Sequence, residues 1–62
     1  MNARAATSYY VAFDGNGRHI STTGRPEIAA EDAAATGGRI IRVDAANAFD
    51  ARQRAHDRLA TA

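Results

Sequence analysis

Three short segments of the chain alternate larger apolar side chains with smaller or polar ones, as half-buried β-strands do. They cover residues 9–13, 18–23 and 39–44. A period of two places successive side chains on opposite faces of a sheet. The sequence Asp-Gly-Asn-Gly at 14–17 separates the first two segments, and Gly and Asn accept the backbone conformations of a tight turn. The pattern therefore predicts three strands, of which the first two form a hairpin.

A first helix is indicated by its terminal signals more than by its apolar stripe. Pro26 suits a first helical turn, and acidic residues such as Glu27 interact favourably with the positive end of the helix dipole. Gly37 and Gly38 provide a stop, because glycine accepts the left-handed conformation that commonly ends helices. We therefore predict a helix over about 26–36. Its stripe has only one large side chain, so we expect close contact through alanines.

A second helix follows the third strand. Asn47 is a candidate N-cap, and Asp50 has the spacing of a capping box. Asp50 and Arg54 have the i,i+4 spacing that allows an ion pair on a helix surface. On a helical wheel the apolar side is formed by Ala48, Ala51, Ala55 and Leu59, with Phe49 at its edge. We expect Phe49 and Val43 to contribute to the core, and their truncation to destabilise the fold.

The order of elements is β-β-α-β-α, which is typical of a small α+β domain. In the simplest arrangement a three-stranded sheet carries both helices on one face. The third strand either completes a right-handed parallel crossover or pairs antiparallel, and the sequence is compatible with both. We assign residues 1–7 to a flexible N-terminal lead-in and residues 8–62 to a single domain.

One face of the sheet is predicted to be covered and the other to be open. The covered face takes Tyr9, Val11, Phe13, Ile20, Ile41 and Val43. The open face takes Tyr10, His19, Ser21, Ile40 and Arg42. Tyrosine and arginine are enriched at the energetic centres of protein interfaces, although an ordinary solvated sheet face has the same alternation. The residues expected to bind a partner are Tyr10, Arg18, His19, Arg39, Ile40 and Arg42.

Large apolar side chains are few for a chain of 62 residues. Much of the 45% hydrophobic content comes from sixteen alanines, which favour helices but bury little area. Domains with small cores often gain stability from disulfides, metals or partner subunits. The chain has no cysteine, and its two histidines lie far apart in the sequence. We therefore expect a protein partner, with a homodimer as one form of it.

The composition also bears on location. The absence of cysteine fits a cytoplasmic protein. The N-terminus has one arginine at position 4 and no unbroken apolar run, so we expect no signal peptide. The sequence contains no apolar run of the length that a membrane span needs, and we expect no membrane association.

The charge pattern gives a second hypothesis. All eight basic residues are arginine and the net charge is +1. The absence of lysine reflects either a GC-rich genome or the use of arginine for bidentate contacts. So small a net charge disfavours nonspecific binding of nucleic acid, which needs a concentrated positive field. A local patch remains possible for a small nucleic-acid-binding regulator with Tyr10 as a stacking platform. Its candidate residues are Arg18, Arg25, Arg39 and Arg42.

The sequence contains no arrangement typical of catalysis, cofactor binding or metal binding. The turn at 14–17 is not followed by the ligands of an EF-hand, and its glycines lack the third member of a dinucleotide loop. The segment 36–39 lacks the lysine of a P-loop. His19 and His56 have no adjacent nucleophile and orienting carboxylate, so both are expected at the surface or at the core boundary. We therefore predict a non-enzymatic protein without cofactor or metal. The third alternative is an enzyme, or an enzyme built at a homodimer interface.

One segment of the chain resembles a known class of small proteins. The strand-to-helix run IIRVDAANAFDARQRA, at residues 40–55, is similar to a pattern in phage- and plasmid-borne proteins, among them anti-CRISPR proteins. The resemblance implies a small inhibitor that docks on a host nucleoprotein complex. It implies no particular site residue, since members of that class share no common fold. We therefore predict a binding protein that docks on a larger protein or nucleoprotein assembly.

Overall fold

The computed structural model describes residues 7–61, which fold in the predicted order of elements. The elements are β1 (Thr7–Phe13), β2 (His19–Thr23), α1 (Pro26–Thr36), β3 (Arg39–Ala45) and α2 (Ala48–Thr61). The α+β class and the β-β-α-β-α order are therefore confirmed. The expected lead-in at residues 1–7 lies outside the described residues except for Thr7, which begins β1.

β1 is the central strand of a three-stranded sheet with the order β2-β1-β3. Both β2 and β3 pair with β1 in the antiparallel direction. Both arrangements that the sequence left open therefore occur, because β3 is antiparallel to β1 and is also reached from β2 by a parallel crossover. β2 and β3 therefore run parallel to each other with β1 between them, and α1 connects them across β1. This central position explains why Val11, Ala12 and Phe13 are each 0% exposed.

The two helices pack on opposite faces of the sheet, which corrects the prediction that both share one face. The buried cluster on the α2 side consists of Val11, Phe13, Val43, Ala45, Ala51 and Ala55. The buried cluster on the α1 side consists of Ala12, Ala29 and Ala33, with Tyr10 and Ile20 against it. Consecutive residues of a strand point to opposite faces, and β1 is apolar on both. A strand of that kind needs cover on each side, and the small Ala12 lets α1 approach closely.

A bulge in the β1–β2 pair changes the direction in which β2 side chains point. Ala12 lies opposite Ser21, but the register then shifts and Phe13 lies opposite His19. A bulge sets two residues of one strand against one residue of its partner. His19 therefore shares the face of Phe13, and Ile20 packs against the α1-side cluster. This is the reverse of the predicted facing for both residues.

The carboxylate of Asp14 organises the hairpin turn. Its Oδ1 accepts the backbone N–H of Arg18 at 2.9 Å and that of Asn16 at 2.8 Å. These hydrogen bonds, first the one from Arg18, lower the pKa of Asp14 below its ordinary value. Because the folded-state pKa is lowered, this stabilisation is present above the unfolded-state pKa and is lost as the pH falls. Gly17 has a φ of 86°, which explains the glycine there.

α1 begins and ends where its signals predict. Pro26 is in the first turn, and Gly37 ends the helix with a φ of 66°. The N–H of Gly38 donates to the carbonyl of Ala33 at 2.8 Å, and the N–H of Gly37 donates to that of Ala34 at 3.4 Å. These two hydrogen bonds form a Schellman motif, which turns the chain sharply into β3.

The predicted cap of α2 is confirmed. The Oδ1 of Asn47 accepts the N–H of Asp50 at 2.8 Å. The Asp50 carboxylate accepts from the N–H of Ala46 at 3.2 Å and from Nε of Arg54 at 2.9 Å. The hydrogen bond from Arg54, followed by that from Ala46, lowers the pKa of Asp50. The start of α2 is therefore specified locally.

Replacement of Asn47 by alanine is expected to lower the free energy of unfolding by about 1 kcal/mol, the usual effect of losing an N-cap. Urea denaturation of the full chain measures it. Gln53→Ala is the matched control, because Gln53 is exposed within the same helix. We expect the control to stay within about 0.5 kcal/mol of the parent. Equal midpoints for the Asn47 variant and the parent would show that the cap contributes nothing.

Candidate interaction surfaces

Three of the six predicted partner-binding residues lie side by side on the α1 side of the sheet. Tyr10 faces Arg42 across the β1–β3 pair, and Ile40 is opposite Ala12, the next residue of β1 on the same face. Ile40 is 38% exposed, Arg42 is exposed and Tyr10 is half-buried. The β3 strip, as we name this surface, consists of Ser8, Tyr10, Ile40, Arg42 and Asp44.

Hydrogen bonds fix the position of Arg42 within the β3 strip. Its Nη2 donates to Oγ of Ser8 at 2.9 Å, and that hydroxyl donates to Oδ1 of Asp44 at 2.8 Å. Arg42 Nη2 and Asp44 Oδ1 are 3.6 Å apart. An exposed pair of this kind adds at most about 1 kcal/mol to stability. Its more important effect is to orient a guanidinium on a side chain that remains 59% exposed.

The rest of this face is covered, which corrects the expectation of an open sheet. Ala29 and Ala33 of α1 pack against Ala12. Ser21, predicted to be open, donates from Oγ to Oδ2 of Asp32 on α1 at 2.7 Å. All residues of β2 are half-buried, whereas β3 keeps exposed side chains on this face. Helix α1 therefore leaves the β3 strip as the accessible part of the face.

His19 lies on the α2 side and does not join Tyr10, contrary to the prediction. Its ring is edge-on to Phe13 with centroids 6.2 Å apart, and His56 of α2 meets the same ring at 5.1 Å. His19 Nε2 and Thr22 Oγ1 are hydrogen-bonded at 2.8 Å. Burial, followed by the positive charges of Arg52 and His56, lowers the pKa of His19. We call His19, Arg52 and His56 the histidine cluster.

The remaining two predicted partner-binding residues also lie apart from the β3 strip. Arg39 pairs with Phe13, so it belongs to the α2 side of the sheet. Arg18 is in the hairpin turn just before β2, and both arginines are exposed. A groove of ≈ 290 Å³ separates Arg39 from the turn and from Leu59. The structure therefore groups Tyr10, Ile40 and Arg42 and separates the other three predicted residues from them.

The sequence interpretation placed two exposed residues of α2, Ala48 and Phe49, on or beside its apolar side. Phe49 is 78% exposed, against the expectation that it contributes to the core. Ala51 and Ala55 face the sheet from α2. At roughly 100° per residue, Phe49 is turned about 200° from Ala51 and points to solvent. The helical wheel already placed Phe49 away from Ala51. The prediction that it is buried rested on its aromatic character and its position near the apolar stripe.

Ion pairs divide the arginines into paired and unpaired groups. The distances are 4.0 Å for Arg25–Glu27, 3.6 Å for Arg42–Asp44 and 2.9 Å for Arg54–Asp50. Across residues 7–61, Arg52 takes part in none of these ion pairs. The positive patch expected from four arginines is not a single surface, because Arg39 and Arg42 lie on opposite faces of β3.

The outer edge of β3 is shielded in part by α2. Arg58 donates from Nη1 to the carbonyl oxygen of Arg42 at 3.4 Å. A groove of ≈ 460 Å³ lies between the helix and the strand, lined by Val43, Asp44, Arg54, Asp57, Arg58 and Thr61. Unpaired strand edges invite pairing with other chains, and a side chain on an edge carbonyl opposes it. The side chains of the β3 strip are therefore a more accessible contact than the backbone edge.

Among the described side chains, no group of three or more His, Cys, Asp or Glu residues is placed to hold a metal ion. No helix between residues 7 and 61 combines the length and apolar character needed to cross a membrane. Fold and surface together define a small α+β protein with an exposed apolar and arginine-bearing strip beside a sheet edge. The chain matches no protein-family model, no curated protein and no solved structure.

Proposed function

We propose that this protein is a non-enzymatic binding protein that docks on a larger protein or nucleoprotein assembly through the β3 strip. One observation carries the proposal: Tyr10, Ile40 and Arg42 form a contiguous row on the accessible part of the sheet. Tyrosine and arginine contribute more binding energy than most side chains in protein interfaces. An aliphatic neighbour adds area that is removed from water when a partner binds.

The arrangement around Arg42 supports a directional contact. Ser8 and Asp44 hold its guanidinium, at 2.9 Å and 3.6 Å from Nη2. A side chain that is already ordered loses less conformational entropy on binding. A partner that fits this strip has an apolar pocket for Ile40 and a carboxylate or carbonyl group for Arg42.

The resemblance of residues 40–55 to anti-CRISPR proteins suggests a narrower form of the same proposal. In that form the protein is an inhibitor encoded by a mobile element, and the assembly is a host nucleoprotein complex. Ile40, Arg42 and Asp44 all belong to that run and to the β3 strip. A homodimer formed through the strip is a further form of the proposal.

The alternative is a small nucleic-acid-binding regulator that uses Tyr10 as a stacking platform. Asp44 lies within the β3 strip and pairs with Arg42, so its negative charge opposes contact with phosphates. Arg39 lies on the opposite face of β3 and adds no charge to the strip. These two observations favour a protein surface as the partner.

The proposal predicts that Ile40→Ser weakens partner capture at least about tenfold, the effect of losing a central interface side chain. Ile28→Ser is the matched control, since Ile28 is 40% exposed and Ile40 is 38% exposed. Ile28 is one turn before Asp32 on α1. Asp32 is hydrogen-bonded to Ser21 of β2, which is the edge strand opposite β3. The tagged full chain is incubated with host lysate, with and without nuclease, and the captured proteins are quantified.

Capture of one assembly by the parent and by Ile28→Ser, but not by Ile40→Ser, supports the proposal. Equal capture by both serine variants would overturn it. Recovery of nucleic acid alone, with loss after nuclease and steep dependence on salt, would overturn it in favour of the regulator. Light scattering on the purified parent and the Ile40 variant identifies a homodimer that depends on the strip.

A further inference from the structure

We propose that the histidine cluster is a binding site for a phosphate group, separate from the β3 strip and beyond the proposed function. Its imidazoles come from different elements, His19 from β2 and His56 from α2. Both rings rest edge-on against Phe13, with centroids 6.2 Å and 5.1 Å from the centre of that ring. Phe13 is 0% exposed on the central strand, and its buried ring is the common contact of both imidazoles.

Arg52 completes the site. It lies one helical turn before His56, and residues four apart are neighbours on the same side of a helix. The described ion pairs leave its guanidinium unused. Guanidinium is planar and binds phosphate oxygens through two parallel hydrogen bonds. The hydrogen bond of 2.8 Å between Thr22 and His19 fixes the orientation of that imidazole.

The carboxylates nearest the cluster in sequence are engaged elsewhere. Asp14 accepts two backbone N–H groups within its own turn. Asp57 follows His56 but lines the groove beside Arg54. Asp50, two residues before Arg52, accepts hydrogen bonds from the N–H of Ala46 and from Arg54. Tyr9 of β1 and Arg39 of β3 also lie on this side of the sheet, Arg18 lies in the turn before His19, and α2 adds Arg54 and Arg58. The surroundings therefore have an excess of positive charge that an external oxyanion can neutralise.

This arrangement makes binding dependent on pH. In the empty protein, burial and then the positive neighbours Arg52 and His56 favour the neutral form of His19. A phosphate group held between the three side chains favours the protonated form of His19. Linkage requires that phosphate binding and proton binding strengthen each other by the same factor. The site therefore binds an oxyanion of constant charge more tightly as the pH falls.

The two histidines are the only ones in the chain, so NMR follows each imidazole separately. The full chain is titrated between about pH 5 and pH 8, the range in which histidine changes charge. One series contains inorganic phosphate, and the other contains chloride at equal ionic strength. We expect phosphate to raise the pKa of His19 by about half a unit or more, roughly threefold in proton affinity. By linkage, an oxyanion of constant charge binds about threefold more tightly at the acidic end.

Arg52→Gln is expected to abolish the difference between phosphate and chloride. Arg25→Gln is the control, because Arg25 is exposed at the start of α1 and belongs to no part of the cluster. Circular dichroism confirms that both variants fold. Sulfate, which keeps its charge throughout the titration, separates titration of the protein from that of the ligand. Equal histidine pKa values in phosphate, sulfate and chloride would overturn the proposal, as would an unchanged phosphate effect in Arg52→Gln.

The same titration distinguishes free phosphate from a nucleotide as the ligand. Phe49 lies one turn before Arg52 on α2 and is 78% exposed, so a base attached to the phosphate has an aromatic face within reach of the site. Tighter binding of adenosine monophosphate than of inorganic phosphate, with the surplus lost in Phe49→Ala, supports the site with a nucleotide ligand. Equal binding of the two supports it with free phosphate as the ligand.

Discussion

Gly38→Ala is expected to unfold the protein. A β-carbon at this position lies 2.7 Å from the carbonyl carbon of Phe13 and 2.8 Å from Cα of Asp14, and closer still to the carbonyl oxygen of Phe13. These atoms belong to the backbone of the central strand where it enters the hairpin turn. A flexible side chain could move aside, but this backbone cannot shift without breaking the β1–β3 register. We expect the free energy of unfolding to fall by more than about 4 kcal/mol, a loss that is exceptional for a single substitution and is typical of a severe steric conflict.

Gly24→Ala is the control for this experiment. Gly24 lies between β2 and α1, and a β-carbon added there meets nothing within 4 Å. We expect it to change the free energy of unfolding by less than about 1 kcal/mol. Circular dichroism and urea denaturation compare the two variants with the parent. If Gly38→Ala unfolds cooperatively at the same urea midpoint as Gly24→Ala, Gly38 does not approach the backbone of β1 this closely.

Phe13→Ala is expected to cost about 3–5 kcal/mol, the usual range for a fully buried phenylalanine. Phe13 and Val11 are the two largest side chains that are fully buried. Phe13 contacts the buried residues of α2 and supports both histidine rings. A domain of this size has a total stability of only about 3–9 kcal/mol at the usual value per residue. The substitution therefore removes most of that stability or all of it.

Phe49→Ala is the matched control, because it deletes the same side chain from a position that is 78% exposed. We expect a change within about 0.5 kcal/mol, as for other exposed positions. Thermal and urea denaturation measure both variants. This result would correct the expectation from sequence that Phe49 stabilises the core. Equal destabilisation by the two substitutions would mean that α2 is rotated about its axis relative to the structure described above.

The turns and helix ends were predictable because their signals lie within a few residues of one another. Asp14 closes the hairpin by accepting the N–H groups of Asn16 and Arg18. Asn47 caps α2 by accepting a hydrogen bond three residues ahead. Such short-range contacts depend on residue type and spacing alone. The order of elements and the fold class follow from these contacts, because the turn and cap residues between periodic segments determine how many elements the chain has.

Part of the β3 strip was predictable for a similar reason. Ile40 and Arg42 are two residues apart in a strand, so a period of two places them on one face. Their alignment with Tyr10 needed the antiparallel register between β1 and β3, which the sequence left open. The roles of Ser8 and Asp44 depend on the same register. Once the pairing is known, the network around Arg42 follows from simple alternation.

Apart from Phe49, whose exposure follows from the helical wheel, the errors concern contacts between residues distant in sequence. A one-residue bulge opposite Phe13 moved His19 to the α2 side and placed it against the Phe13 ring, which His56 also contacts and which no local pattern indicates. The sequence shows that Ala12 is apolar. Whether the helices cover one face of the sheet or both depends on how the two helices pack against it. Local chemistry thus determined the elements and their boundaries. Strand register and the distribution of helices over two faces came from packing, because burial is decided by the whole chain at once.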